Sequence, residues 1–308
     1  MGLCPDQIAR FHEDGYLVVD DVLSPADLQP VIAEISEAID KETRVLMDRG
    51  ELSRSYAEEP FERRLTRITA ETEAVYWSVC SGNLHGSGIF DLITNPKLLN
   101  LAESLVGPEI IASSVYRLRP KVPGFAHGVV PWHQDSGYFE PYCDDDLVLT
   151  AWIPLVDATP ERGCLRVMRH AHTTGVVPHR RDTDGTGYLE IPKSHLPLND
   201  IVTVPMSLGG VLLLTNRTPH CSGDNVTDVI RWSVDIRYQS ADLPTNYDAP
   251  SGWTNEKLPD DAPIACYPPE ADFLVRSRRR LGDVVRGPET FSRIRRRHVE
   301  SPATDRWA

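Results

Sequence analysis

The segment Val229–Gln239 constrains the fold more than any other stretch of this 308-residue chain. Ile230, Trp232, Val234, Ile236 and Tyr238 share one parity, and Arg231, Ser233, Asp235 and Arg237 share the other. Successive side chains of a strand point to opposite faces, so the segment reads as a β-strand with one apolar and one polar face. The apolar face is suited to packing beneath helices. The opposite face is too polar for a dry core, which predicts a barrel with a wet or ligand-filled interior.

Shorter β-rich runs accompany it at Ile110–Arg119, Leu147–Val156, Cys164–Met168, Ile201–Pro205 and Gly210–Thr215. No helical pattern separates them at regular intervals, which argues against a parallel βαβ sheet and for an antiparallel sandwich or barrel. The first 108 residues read mostly helical. Ser24-Pro25 with Asp27 forms a helix start, followed by Leu28, Val31, Ile32, Ile35 and Ile39 at helical spacing. A second helix opens at Asn95-Pro96 and stops at Gly107-Pro108. The expected organisation is one domain over 1–308, with a β core at about 110–240 and an extension at about 241–308. In that extension 241–275 reads as a Pro-rich loop or lid, and the Arg-rich tail as a surface helix or irregular chain.

Thirty-two basic against 45 acidic residues give a net charge of −13, the wrong sign for a general nucleic-acid binder. The charge is uneven: nine Arg against Asp283 and Glu289 make 276–297 locally +7, leaving about −20 elsewhere. No apolar run is long enough for a transmembrane helix. The start lacks a secretory or myristoylation pattern, and Arg-Trp-Ala is no peroxisomal address. Six Cys without CxxC spacing suggest free thiols in a reducing, cytoplasmic compartment.

The chemistry centres on Pro131-Trp132-His133-Gln134-Asp135. On extended chain His133 and Asp135 point to the same side, offering a divalent metal one imidazole nitrogen and one carboxylate oxygen. The pair alone also fits a hydrogen-bonded turn. A second His would complete the two-His, one-carboxylate set that leaves coordination positions open. His220, just after the apolar run Gly210–Thr215, is the candidate, although the same position suits an exposed loop His. Arg231 raises it, because a guanidinium fork grips a carboxylate through two hydrogen bonds. Asp235 shares its face but lies about 13 Å further along a strand, too far to neutralise it. An inward Arg without a local partner calls for an external anion.

These residues, in this order, resemble the phytanoyl-CoA dioxygenase (PhyH-like) family of Fe(II)/2-oxoglutarate oxygenases. The resemblance runs from Phe11–Asp21 to about Gln239, through Trp132–Asp135, Thr150–Thr159, Gly163-Cys164-Leu165, and His220 with Arg231. It implies a mainly β fold, a double-stranded β-helix (jelly roll, cupin-like) with a helical N-terminal cover. It implies Fe(II) held by His133, Asp135 and His220, and 2-oxoglutarate held through its distal carboxylate by Arg231. Trp152, Ser222 and Val115 match further cosubstrate-pocket positions, although Trp152 also suits a core aromatic. Relatives often carry Asn-Gly-Cys-Leu and then Pro-Gly-Ser-His, where this chain has Arg162-Gly163-Cys164-Leu165 and Arg169-His170-Ala171-His172. His172 is expected to keep a structural position, with His170 facing solvent or substrate. His127, His179 and His195 read as ordinary loop residues.

The implied reaction uses O2 and 2-oxoglutarate, releases succinate and CO2, and hydroxylates an unactivated C–H bond. Related halogenases replace the carboxylate ligand with a small residue, so Asp135 favours hydroxylation, desaturation or ring closure. A free small molecule such as a specialised metabolite is the first substrate expectation, and an acyl-CoA or carrier-bound acyl group the second. Arg117, Arg119 and Lys121 share parity, so they either face the pocket or line a solvated edge. Arg117, Tyr138 and Phe139 are the substrate candidates, and Tyr142 is a further aromatic of the same wall. A non-catalytic metabolite-binding jelly roll would leave the complete ligand set idle, and a zinc hydrolase would leave Arg231 unexplained.

Overall fold

The computed structural model describes residues 2–80, 84–113, 116–139, 144–181, 188–197, 200–243 and 272–299. The N-terminal part holds α1 (Pro5–Asp14), β1 (Tyr16–Val19), α2 (Pro25–Asp48), α3 (Phe61–Thr69), α4 (Ala74–Cys80), α5 (Ser87–Ile93) and α6 (Pro96–Val106). Strands follow as β2 (Ile110–Ser113), β3 (Arg117–Lys121), β4 (Leu149–Pro154), β5 (Leu165–Met168), β6 (Arg180–Arg181) and β7 (Leu189–Glu190). Then come β8 (Ile201–Val204), β9 (Val211–Thr215), β10 (His220–Ser222), β11 (Arg231–Ser240), β12 (Asp272–Arg276) and helix α7 (Pro288–Val299).

The helix boundaries follow from local chemistry. Ser24 N donates to Asp27 Oδ2 at 2.7 Å and Pro25 opens α2, so orphan donors at its start are satisfied or absent. Asn95 caps α6 by accepting from Lys97 N at 2.9 Å, and Gly107, at φ +86°, ends it. The buried stripe Leu28, Val31, Ile35, Ile39 and Leu46 of α2 packs into the helical layer.

Every strand pair is antiparallel. The larger sheet runs β1-β9-β4-β11-β2-β12, with β3 pairing the N-terminal half of β11 beside β2. A smaller sheet, β10-β5-β8, is extended by the bridge His133↔His220. The helices cover the outer face of the larger sheet, where Ile230, Trp232, Val234, Ile236 and Tyr238 join one large apolar core. A second cluster, including Leu165, Val167, Leu212 and Leu214, brings residues of the two sheets together. This is the jelly roll under a helical cover that the sequence implied.

Two features go beyond the sequence reading. The helical N-terminal part contributes an edge strand: β1 pairs with β9 in the register Tyr16↔Leu214 to Val19↔Val211. Gly15 makes this possible, because it ends α1 at φ +83° where an added Cβ would collide with His172 and Thr218. The Arg-rich segment is neither wholly helix nor wholly irregular. Arg276 and Arg278 both pair with Glu103 at the end of α6, and Arg279 pairs with Glu109 and Asp242, before α7 begins. Much of the loop expected at 241–275 lies outside the described residues.

Candidate active site

His133 and His220, the two candidate metal-ligand histidines, sit where the smaller sheet meets the loop after β3. His133 N donates to His220 O at 3.0 Å and His220 N returns to His133 O at 2.9 Å, so the two backbones are locked side by side. Their rings stand 4.2 Å apart between centroids. Each Nδ1 is tied to a backbone carbonyl two residues earlier, His133 to Pro131 O at 2.9 Å and His220 to Thr218 O at 3.0 Å. A carbonyl can only accept, so each Nδ1 carries the proton and each Nε2 is left with its lone pair.

Asp135 completes the group. One potential ligand atom from each of His133, Asp135 and His220 lies within 4.8 Å of the others, and all three residues are buried. His133 Nε2 is 3.9 Å from Asp135 Oδ1. Burial opposes ionisation of Asp135, yet Arg237 and the two imidazoles hold its carboxyl well below the usual carboxylate range. Arg237 Nη2 donates to Oδ1 at 3.1 Å and Thr150 Oγ1 to Oδ2 at 2.5 Å. Burial and His220 push His133 down to about 3, so it is neutral at pH 7, the form that binds metals. Two imidazole nitrogens and one anionic oxygen fit a divalent first-row metal with coordination positions left open.

The triad lines a cavity of about 250 Å³ between the sheets. Arg231 lines the same cavity and is 2% exposed. It donates to Ser233 Oγ at 2.5 Å and to Gly163 O at 3.3 Å, while its Nε has no hydrogen-bond partner among the described residues. Its guanidinium stands 5.3 Å from the centre of the Trp152 ring. Asp235 does not reach it: that carboxylate pairs with Arg119 at 3.0 Å and Arg237 at 2.8 Å, as strand spacing required. Burial and Arg119 lower Arg231 to about 10, which leaves it charged at pH 7.

Other candidates divide. Trp152 and Ser222 line the cavity, and so does Arg117 at its exposed rim. Tyr138 and Phe139 do not. The chain turns as a short 3₁₀ helix over Asp135–Tyr138, and the Tyr138 ring stands edge-on to His133 with 5.8 Å between centroids. Phe139 is buried, and the Tyr138 hydroxyl accepts from Leu189 N at 2.8 Å. Val115 and Tyr142 lie outside the described residues. His172 is structural, as expected, with Nε2 held by His12 O, and His170 is bonded to Glu13 O.

His179 and His127 depart from their ordinary reading. Buried His179 accepts from Gln134 N at 3.0 Å, bracing the residue between His133 and Asp135. His127 lines the cavity with Tyr76 and Trp77, edge-on to Trp77 at 4.6 Å. Neither role has a local sequence signal, because each depends on contacts across the fold.

The family model for phytanoyl-CoA dioxygenase (PhyH) matches residues 11–233, taking in the complete triad and Arg231. The chain belongs to this family. It is therefore an Fe(II)- and 2-oxoglutarate-dependent dioxygenase. Human peroxisomal phytanoyl-CoA dioxygenase is 26% identical over 77% of this chain and 68% of its own length. Bovine phytanoyl-CoA dioxygenase domain-containing protein 1 is 26% identical over 87% and 98%. Among solved structures, the apo non-heme monooxygenase ThoJ has a TM-score of 0.56 at 21% identity, covering 96% of this chain and 98% of that one. The epimerase SnoN, in complex with Fe3+, alpha ketoglutarate and nogalamycin RO, has a TM-score of 0.53 at 23% identity over 84% and 94%. These likenesses support the jelly roll, and the PhyH family match supports the chemistry.

Proposed function

We propose that this PhyH-family enzyme hydroxylates an unactivated C–H bond of a small organic molecule, with His133, Asp135 and His220 as the iron ligands. The observation that carries this reading is the convergence of that triad and the buried, carboxylate-free Arg231 on one cavity. When bound, iron and 2-oxoglutarate supply the oxidising power: O2 is consumed, the keto acid becomes succinate and CO2, and the substrate gains one oxygen atom.

The protein's part is orientation and exclusion. Pro131 O and Thr218 O hold both imidazoles with Nε2 inward, which fixes the tautomer the metal needs. Arg237 and Thr150 keep Asp135 ionised and fix its carboxylate plane. Arg231 takes the distal carboxylate of 2-oxoglutarate, with Trp152 and Ser222 as further walls of that subsite. Substrate enters past Tyr76, Trp77, His127 and Arg117, an aromatic and cationic rim that suits a free small molecule. Asp135 occupies the position a halide would need, which favours hydroxylation over halogenation.

The test is purified protein with Fe(II), ascorbate and 2-oxoglutarate, under air and under nitrogen, across a panel of small molecules. Succinate should form only under air and should increase when a substrate is present. Succinate absent under air, together with no binding of 2-oxoglutarate, would contradict the reading.

A further inference from the structure

Lys121 is as buried as any apolar core residue, at 1% exposure, and the triad makes no use of it. It stands opposite Arg231 in the β3–β11 register, so the two side chains leave the sheet on the same inward face. Its Nζ donates to Ser222 Oγ at 2.9 Å and to Gly223 O at 2.5 Å. Both partners are neutral. Among the described residues no carboxylate forms an ion pair with Lys121 or Arg231.

The same inner face is treated differently two positions away. There Arg119 and Arg237 share Asp235, and Arg237 also reaches Asp135, so each buried cation meets an anion. Beside Arg231 the fold adds a second basic group, and among the described residues no carboxylate is ion-paired with either. Burying a charge is costly unless it is paired: burial together with Arg231 pushes Lys121 down to about 6, so the amine is largely neutral at pH 7 until an anion beside it favours the ammonium. Gly163 makes room for the lysine stem: a Cβ there would come within 2.7 Å of Lys121 Cδ. Lys121, Ser222 and Arg231 all line the cavity that holds the triad.

Building on the cavity as the 2-oxoglutarate site, we propose that Lys121 is its second cation, sharing the distal carboxylate of 2-oxoglutarate with Arg231. Ser222, hydrogen-bonded to Nζ, positions the ammonium and offers its own hydroxyl to the same anion. The second cation selects for keto acids that carry a distal carboxylate.

The experiment compares 2-oxoglutarate with 2-oxopentanoate, which has the same keto acid head but a methyl group in place of the distal carboxylate. Both are titrated calorimetrically into the zinc-loaded full-length protein and its Lys121→Met, Lys121→Gln and Arg231→Gln variants. Lys121→Met should weaken 2-oxoglutarate roughly tenfold or more, the worth of a hydrogen bond to a charged group. It should leave 2-oxopentanoate within about twofold. Unchanged 2-oxoglutarate affinity in Lys121→Met alongside a loss in Arg231→Gln would overturn the proposal and spare the cosubstrate site. Equal weakening of both ligands in both Lys121 variants would make the residue structural and overturn it too. Unchanged affinity in Arg231→Gln would instead remove the cosubstrate reading beneath it.

Discussion

The two faces of β11 divide the labour of this protein. Outward, Trp232 stacks on Phe61 at 5.1 Å and its Nε1 donates to Phe61 O, while the Tyr238 hydroxyl donates to Ile93 O. These contacts anchor the helical cover to the sheet. Inward, Arg231, Asp235 and Arg237 are just as buried, yet they face a cavity and contribute charge instead of apolar area. One strand therefore supports both fold and site, and a change of parity by a single residue separates the two roles.

The sharpest break between the faces should come from His133→Ala on the inner side. Turnover should fall to background, whereas unfolding of the metal-free protein should shift by only about 1 kcal/mol, the worth of one lost hydrogen bond. Succinate assays and denaturant melts on the same preparation check both halves.

Asp235→Ala tests whether inner-face charge is structural as well as functional. It leaves Arg119 and Arg237 facing each other without their shared anion, so a loss of about 3–5 kcal/mol is expected. Trp232→Ala on the outer face should cost a similar 3–5 kcal/mol by leaving a cavity under α3. The two are told apart by 2-oxoglutarate binding under native conditions. That binding should weaken in Asp235→Ala and persist in Trp232→Ala.

A further effect is a pH dependence. The lysine amine is lowered to about 6 in the folded protein against an ordinary 10.5. Between those values the unfolded chain binds the extra proton, so this residue makes stability rise with pH and its penalty is complete below about 6. The groups acting on it are Arg231 and Arg119, which lower it, and Asp224 and Cys221, which raise it. Its slope is at most about 1.4 kcal/mol per pH unit, and Lys121→Met should flatten the wild-type curve by that amount.

The site was largely legible because its signals are local or paired with a strong pattern. His133 and Asp135 are two residues apart, and the parity of β11 isolates Arg231 from Asp235 before any coordinates exist. The helix caps at Ser24 and Asn95 are equally short-range. What escaped depends on distant chain. β1 is four residues long and finds its partner β9 nearly two hundred positions later. The parity of Arg117, Arg119 and Lys121 did not tell a solvated edge from a pocket wall. Only the register against β11 places Lys121 beside Arg231 and Arg119 within reach of Asp235. Tyr138 and Phe139 were drawn in by nearness along the chain; the Tyr138 ring does reach His133, edge-on at 5.8 Å, whereas Phe139 is buried just past the turn.

The central claim is that the triad and Arg231 together hold iron and 2-oxoglutarate. It is tested most directly by titrating 2-oxoglutarate into the Fe(II)-loaded protein without oxygen, while following the visible charge-transfer absorption of an iron–keto acid chelate. The band should appear and saturate in the wild type, fail to form in His220→Ala, and require roughly tenfold or more 2-oxoglutarate in Arg231→Gln. No band in the wild type, or the same titration midpoint in Arg231→Gln, would contradict the account.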